Sequence, residues 1–219
     1  MLQEVRQQPA VLQHTLNSEL KGIAELRRLI ARKPPQHIVL VARGTSDNAA
    51  QFGRYLLEIT TGIPVSLAAP STVTLYKARV KLDHALVVAI SQSGESTDTN
   101  LVLEKARAQG ALTVAITNES GSTLARIADY VFLVRAGKEK SVAAAKTYTG
   151  QLLIFYLLAH ALGGSINIDD LRLLPHWTHA ALKLESEVAE RAQRYRFMHH
   201  ALVVGRGLNY SNAFELALS

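Results

Sequence analysis

The chain has no cysteine, which excludes disulfide bonds and thiolate metal ligation and fits a reducing compartment. Nor does it contain an apolar run near the ~20 residues that a membrane-spanning helix needs. The opening residues, Met1 to Pro9, lack the basic-then-apolar order of a secretory signal. A cytoplasmic protein with no membrane partner is expected. Phosphate-binding G-x-x-x-x-G-K-[ST] and dinucleotide-binding G-x-G-x-x-G motifs are missing, so nucleotide chemistry has no warrant. The G-x-S-x-G elbow of serine hydrolases is missing too. His199 and His200 stand together without metal-ligand spacing, and neither a metal nor a cofactor is expected.

What is present is an apolar share of 48% in 219 residues, enough for a core of domain size. The formal charge of +6 comes from 24 Lys and Arg scattered among 18 Asp and Glu. Basic residues dispersed in this way make a solvated surface, not a polynucleotide footprint, and no nucleic-acid partner is expected.

Leu12, Leu16, Leu20, Ile23, Leu26 and Ile30 recur at three- and four-residue steps, which predicts a long amphipathic helix ending before Pro34 and Pro35. Short apolar runs then alternate with helical patterns. Strands are expected at 38–42, 65–67, 85–90, 112–116 and 130–134. A helix between the first two carries Phe52, Tyr55, Leu56 and Ile59 on its apolar face, another runs from Asn100 to Gln109, and a last one runs from about Ala143 to Leu162. Near-continuous apolar strands imply burial on both sides, hence an α/β fold with a five-stranded parallel sheet between helical layers.

The pattern from His37 to Arg43 and Gly44 recurs from His200 to Arg206 and Gly207. Recurrence at the distance of one compact α/β unit predicts a second strand-and-helix repeat. The expected organisation is an N-terminal helix at 1–36, a first domain at 37–164, linking helices at 165–199, and the truncated beginning of a second domain at 200–219.

Between the 85–90 strand and the next helix, residues 91–99 hold five hydroxyls and one glycine. A hydroxyl-rich turn at a helix N-terminus gathers side-chain donors, backbone N–H groups and the positive end of the helix dipole around an anion. The stretch carries no lysine, so its ligand is expected to be a phosphate monoester on a neutral, hydroxylated body. Ser91, Gln92, Ser93 and Ser96 are expected to face that ligand around Gly94, with Asp98 capping the helix. Gly44, Thr45 and Ser46 form a second strand-to-helix turn on the same side of the sheet, where such folds bind ligands. Arg43 is expected to sit in a surface ion pair.

Together with the segments at 4–9, 43–46 and 136–149, the 91–99 stretch resembles the sugar isomerase (SIS) domain family, and within it the isomerase half of the glutamine–fructose-6-phosphate aminotransferases. The resemblance implies a flavodoxin-like αβα sandwich, two such domains in tandem, and a homodimer. It further implies a hexose-6-phosphate ligand in amino sugar metabolism, with phosphate contacts from Ser91, Ser93, Ser96 and Gln92, a hydroxyl from Ser46, and the backbone near Val142 against the sugar. Ala144 and Ala145 stand where the family has a Ser-Thr pair, with Lys146 in register. By the resemblance, the full-length protein is an isomerase, aminotransferase or deaminase whose catalytic residues fall beyond Ser219, and no glutaminase domain supplies ammonia. Glu215 is expected to make a structural pair within its own helix. A non-catalytic sugar-phosphate sensor is the alternative.

Overall fold

Parallel strands with apolar residues on both faces dictate the centre of this molecule. The computed structural model describes residues 1–141 and 143–218; Val142 and Ser219 lie outside the described residues. In chain order the elements are α1 (Leu2–Arg6), α2 (Gln8–Arg32), β1 (His37–Val41), α3 (Thr45–Thr61), β2 (Val65–Leu67), α4 (Pro70–Thr74), β3 (Ala85–Ile90), α5 (Thr97–Ala108), β4 (Leu112–Thr117), α6 (Thr123–Ile127), β5 (Tyr130–Leu133) and α7 (Lys146–Ala161). After these come α8 (Ile168–Leu171), α9 (Leu174–Leu182), α10 (Glu185–Ala192), a 3₁₀ turn (Gln193–Tyr195) and α11 (Leu208–Leu218).

The sheet order is β2-β1-β3-β4-β5, and every pairing is parallel. This is the 2-1-3-4-5 order of a flavodoxin-like doubly wound sheet. Alternation along each strand divides the core in two. Leu86, Val88 and Ile90 of β3 join Ile38, Leu40, Val114 and Ile116 under α2, α3 and α7. Val87 and Ala89 join Val39, Val41 and Ala115 under α4, α5 and α6. Because side chains alternate across a strand, each strand needs apolar residues at both parities, which explains the unbroken runs.

Close packing of α3 on α7 depends on Gly53. A Cβ there would meet the Phe155 ring at 2.3–2.6 Å, so only glycine lets the two helices approach with that ring buried between them. The buried arc of α3 runs from Phe52 through Leu56, Ala49 and Gly53 to Ala50, leaving Tyr55 half-buried and Ile59 exposed at its edge. The apolar face expected for this helix is therefore rotated by less than a turn, because α7 claims the Gly53 side. The last helix of the sheet unit starts at Lys146 and not at Ala143, since the Glu139 carboxylate accepts the amides of Ala145 and Lys146 and fixes the first turn there.

The N-terminal segment is bound to the loop after β5. Glu4 is buried, and its carboxylate accepts the Ser141 hydroxyl and the amides of Lys140 and Ser141. Those contacts, the Ser141 hydroxyl first and the Lys140 amide second, hold its pKa at about 2, below the usual 4.5. A depressed carboxylate pKa contributes stability that is complete above about pH 4.5 and is lost as pH falls towards 2. Glu4→Gln is accordingly expected to be less stable than the parent at neutral pH, with the difference vanishing near pH 2. Denaturant unfolding at a series of pH values reads this directly, and a gap that stays constant with pH would contradict it.

The repeated segment at 200–206 differs from expectation. It forms no strand among the described residues, and Leu202 and Val204 are 94% and 89% exposed. A strand needs hydrogen-bonding neighbours, and this segment has none in the sheet, whose edges are β2 and β5. The helix that follows does form: α11 lies against α3.

Among the described residues, no helix is long and apolar enough to cross a membrane.

Candidate functional site

β1 and β3 are neighbours in the sheet, yet their following helices depart to opposite faces, α3 into one layer and α5 into the other. A crevice opens at such a switch point, outside the carboxyl ends of the strands. Here it is a cleft of about 270 Å³. The first turn contributes Arg43, Thr45 and Ser46 to it, and the second contributes Ser91, Gln92, Ser93, Ser96 and Thr99. The amino ends of α3 and α5 both border it, so two sets of unpaired backbone N–H groups and two positive dipole ends face one volume.

Local hydrogen bonds hold the second turn open. Gly94 N donates to Ser91 Oγ at 3.1 Å, and Gly94 O accepts from Asn100 Nδ2 at 3.1 Å and from Leu124 N at 2.9 Å. Gln92 O accepts from Asn118 N at 3.0 Å and Thr117 Oγ1 at 3.2 Å. These bonds use the backbone of the loop and leave the Ser93 side chain exposed; among the described residues, only the Glu95 amide donates to its oxygen, at 3.3 Å. The Asn118 side chain also donates to Gly137 O and accepts from Ala136 N, so the loop after β5 is fastened to the 91–96 turn through one residue, by its side chain on one side and its main-chain N–H on the other.

Of the residues singled out from the sequence, Thr45, Ser46, Ser91, Gln92, Ser93 and Ser96 share this cleft. Gly44 is the N-cap of α3, and Gly94 is buried at the turn of the second loop. Ala144 packs against the larger core cluster. Lys146 is buried away from the cleft lining, its ammonium donating to Gln7 Oε1 at 2.8 Å and Lys138 O at 2.9 Å. Val142 lies outside the described residues.

Two readings need correction. The cap of α5 is Ser96, not Asp98: Ser96 has extended backbone angles and its Oγ accepts from Thr99 N at 3.4 Å. Asp98 is inside the first turn, 3.8 Å from Arg43 in a half-exposed ion pair at the rim. Among the described residues the hydrogen-bond partners of Glu215 lie in α3 and not in α11: it accepts from Thr45 Oγ1 at 3.1 Å and Asn48 Nδ2 at 2.8 Å. Thr99 was missed as a lining residue. Its spacing of three from the cap was the available signal, since the cap and the third helical residue meet at the same corner.

A larger cavity of about 560 Å³ lies at the opposite rim of the sheet, between Pro34, His84, Arg107 and Asp129. Among the described residues its lining holds no serine or threonine, and Arg107 is already engaged with Asp129 at 3.1 Å. Size alone favours it, but donor chemistry favours the smaller cleft. Among the described residues there is no cluster of ligands suited to a metal ion.

The chain is similar to known proteins over its whole length. The family model of the SIS domain matches residues 31–161. An isomerizing glutamine–fructose-6-phosphate aminotransferase from Symbiobacterium thermophilum is 36% identical over all of this chain, which spans 38% of that relative's length. Among solved structures, a candidate phosphosugar isomerase from Silicibacter pomeroyi superposes with a TM-score of 0.92 at 31% identity, covering all of this chain and 66% of the other. The C-terminal domain of glucosamine-fructose-6-phosphate aminotransferase from Francisella tularensis gives a TM-score of 0.82 at 30% identity, with 100% and 65% covered.

Proposed function

Because this chain belongs to the SIS domain family, we propose that its cleft at the β1/β3 switch point binds the phosphate of a hexose 6-phosphate. The observation that carries the reading is the convergence of Ser46 with Ser91, Ser93 and Ser96 on one volume bordered by two helix amino ends. Hydroxyls and N–H groups can encircle a dianion without a fixed counter-charge, and Arg43 at the rim adds attraction at longer range. The names of the relatives, which concern fructose 6-phosphate aminotransfer and phosphosugar isomerisation, support the same ligand class.

The described lining of the cleft includes hydroxyls, one amide and one guanidinium, and no carboxylate. Aldose–ketose isomerisation needs a base to move a proton between adjacent carbons. The role proposed for the described residues is therefore binding, within a protein whose whole activity in amino sugar metabolism is isomerase, aminotransferase or deaminase chemistry. A tandem arrangement belongs to the same proposal, supported by the recurrence at 200–207 and by the apolar, exposed Leu202 and Val204. So does self-association as a cytoplasmic homodimer, supported by exposed Trp177, Leu184 and Val188.

Thermal unfolding with fructose 6-phosphate or glucosamine 6-phosphate tests the binding claim. At a hundredfold excess over Kd, ligand adds about 2.7 kcal/mol, a rise of about 5 to 10 °C for a chain of this size. Ser93→Ala, by removing one hydrogen bond worth about tenfold in affinity, is expected to cut that rise to about half while leaving the ligand-free midpoint in place. No response to any hexose phosphate would defeat the proposal.

A further inference from the structure

We infer that Glu215 is a positioning residue that fixes the hydrogen-bond polarity of the cleft: by accepting the hydrogen bond that the Thr45 hydroxyl donates, it makes that hydroxyl an acceptor for a ligand hydroxyl and leaves phosphate to Ser46 and the Ser91 turn. The inference rests on the phosphosugar reading above and deepens it.

Glu215 belongs to α11, is only 7% exposed, and places its two oxygens over the first turn of α3, on Thr45 Oγ1 at 3.1 Å and Asn48 Nδ2 at 2.8 Å. Thr45 and Asn48 are one turn apart, so a single carboxylate bridges them. An ionised carboxylate only accepts hydrogen bonds, whereas a threonine hydroxyl has one proton and two lone pairs. Once that proton points at Glu215, Thr45 offers the cleft lone pairs alone. Facing a phosphoryl oxygen it would be repelled; facing a sugar hydroxyl it accepts.

Ser46, the next residue, has the opposite polarity. Gln151 Nε2 donates to its Oγ at 3.1 Å, which leaves the Ser46 proton free to donate. Adjacent hydroxyls thus divide the ligand between them, the donor for the anion and the acceptor for the carbohydrate. The position of Glu215 is itself fixed, because α11 is fastened at a second point: Tyr148, in the first turn of α7, donates to Asn212 Oδ1 at 2.9 Å. The Tyr210 ring, which packs on Phe214 of its own helix at 4.9 Å, meets Tyr55 of α3 at 6.4 Å between centroids and holds α11 against α3.

The test compares fructose 6-phosphate with inorganic phosphate by titration calorimetry on the whole chain, for Thr45→Val, Glu215→Ala, Glu215→Gln, Ser46→Ala and the Thr45→Val/Glu215→Ala double variant. Thr45→Val and Glu215→Ala are each expected to weaken the sugar phosphate by about fivefold to tenfold, the worth of one hydrogen bond, with inorganic phosphate affinity unchanged. Ser46→Ala should weaken both ligands. The double variant should be no weaker than Thr45→Val alone, because Glu215 acts through Thr45. Glu215→Gln keeps the side-chain volume, and melting midpoints of all variants separate loss of α11 packing from loss of polarity. Wild-type affinity in Thr45→Val, or losses that add in the double variant, would overturn the inference while leaving the phosphosugar reading intact. Failure of the parent chain to bind fructose 6-phosphate or any other hexose phosphate would instead overturn the reading beneath it.

Discussion

Gly94→Ala is expected to lower the melting midpoint by about 6 to 12 °C, from a loss of about 3 kcal/mol, and to abolish hexose phosphate binding. Gly94 has φ +66°, a conformation that L side chains resist, and a Cβ there would come 2.2 Å from Ser122 Oγ and 2.4 Å from Ser122 Cβ. The loop cannot simply step aside. Gly94 O holds both Asn100 Nδ2 and Leu124 N, and its N–H holds Ser91 Oγ, so a shift that relieves the contact also releases the turn from α5 and α6. Thermal unfolding followed by circular dichroism, with a fructose 6-phosphate titration on the same sample, reads both effects. A midpoint within about 2 °C of the parent, equivalent to less than 1 kcal/mol, would show that the turn is not under this constraint.

Ser93→Asp separates function from folding. The Ser93 side chain is exposed, and its hydroxyl accepts one weak bond of 3.3 Å from the Glu95 amide, so an aspartate fits there without disturbing the core. It also brings a negative charge to the edge of the proposed anion site. Like charges brought together at a binding surface cost several kcal/mol, and about 2.7 kcal/mol is already a hundredfold in affinity. Fructose 6-phosphate binding is expected to weaken by about a hundredfold or more, with partial recovery at high salt through screening. Ser93→Asn, uncharged and of the same shape, should bind far better than the aspartate. Equal affinities for the two variants would mean that no anion sits beside residue 93.

Much of this architecture was readable from residue order. The five apolar runs became β1 to β5 to within a residue or two at each end, because burial on both faces leaves no polar alternation to blur them. The 91–99 turn and the 44–46 turn were recognisable as strand-to-helix corners on one rim for the same reason. Local competition was harder to judge. Ser96 and Asp98 are both good caps, and what decides between them is which one precedes the first helical residue, a matter of one step in the chain. Long-range pairing was not legible at all. Glu215 satisfies α3 from 167 and 170 residues away, and Lys146 turns to Gln7 139 residues before it, and neither distance leaves any periodic trace. The 200–206 segment shows the reverse failure, since it has the composition of a core strand but no sheet to enter.

By itself the sequence determined the class of the sheet, the position of its hydroxyl-rich corner and the absence of thiol, nucleotide-loop and elbow chemistry, because each of these is set by neighbours in the chain. Only the tertiary structure decided which corners meet. The β1/β3 adjacency brings Ser46 to Ser91, and the packing of α11 on α3 brings a carboxylate to Thr45. The physical reason is that hydrogen-bond polarity and convergence belong to pairs of groups in space, and such pairs exist only once the chain has closed on itself.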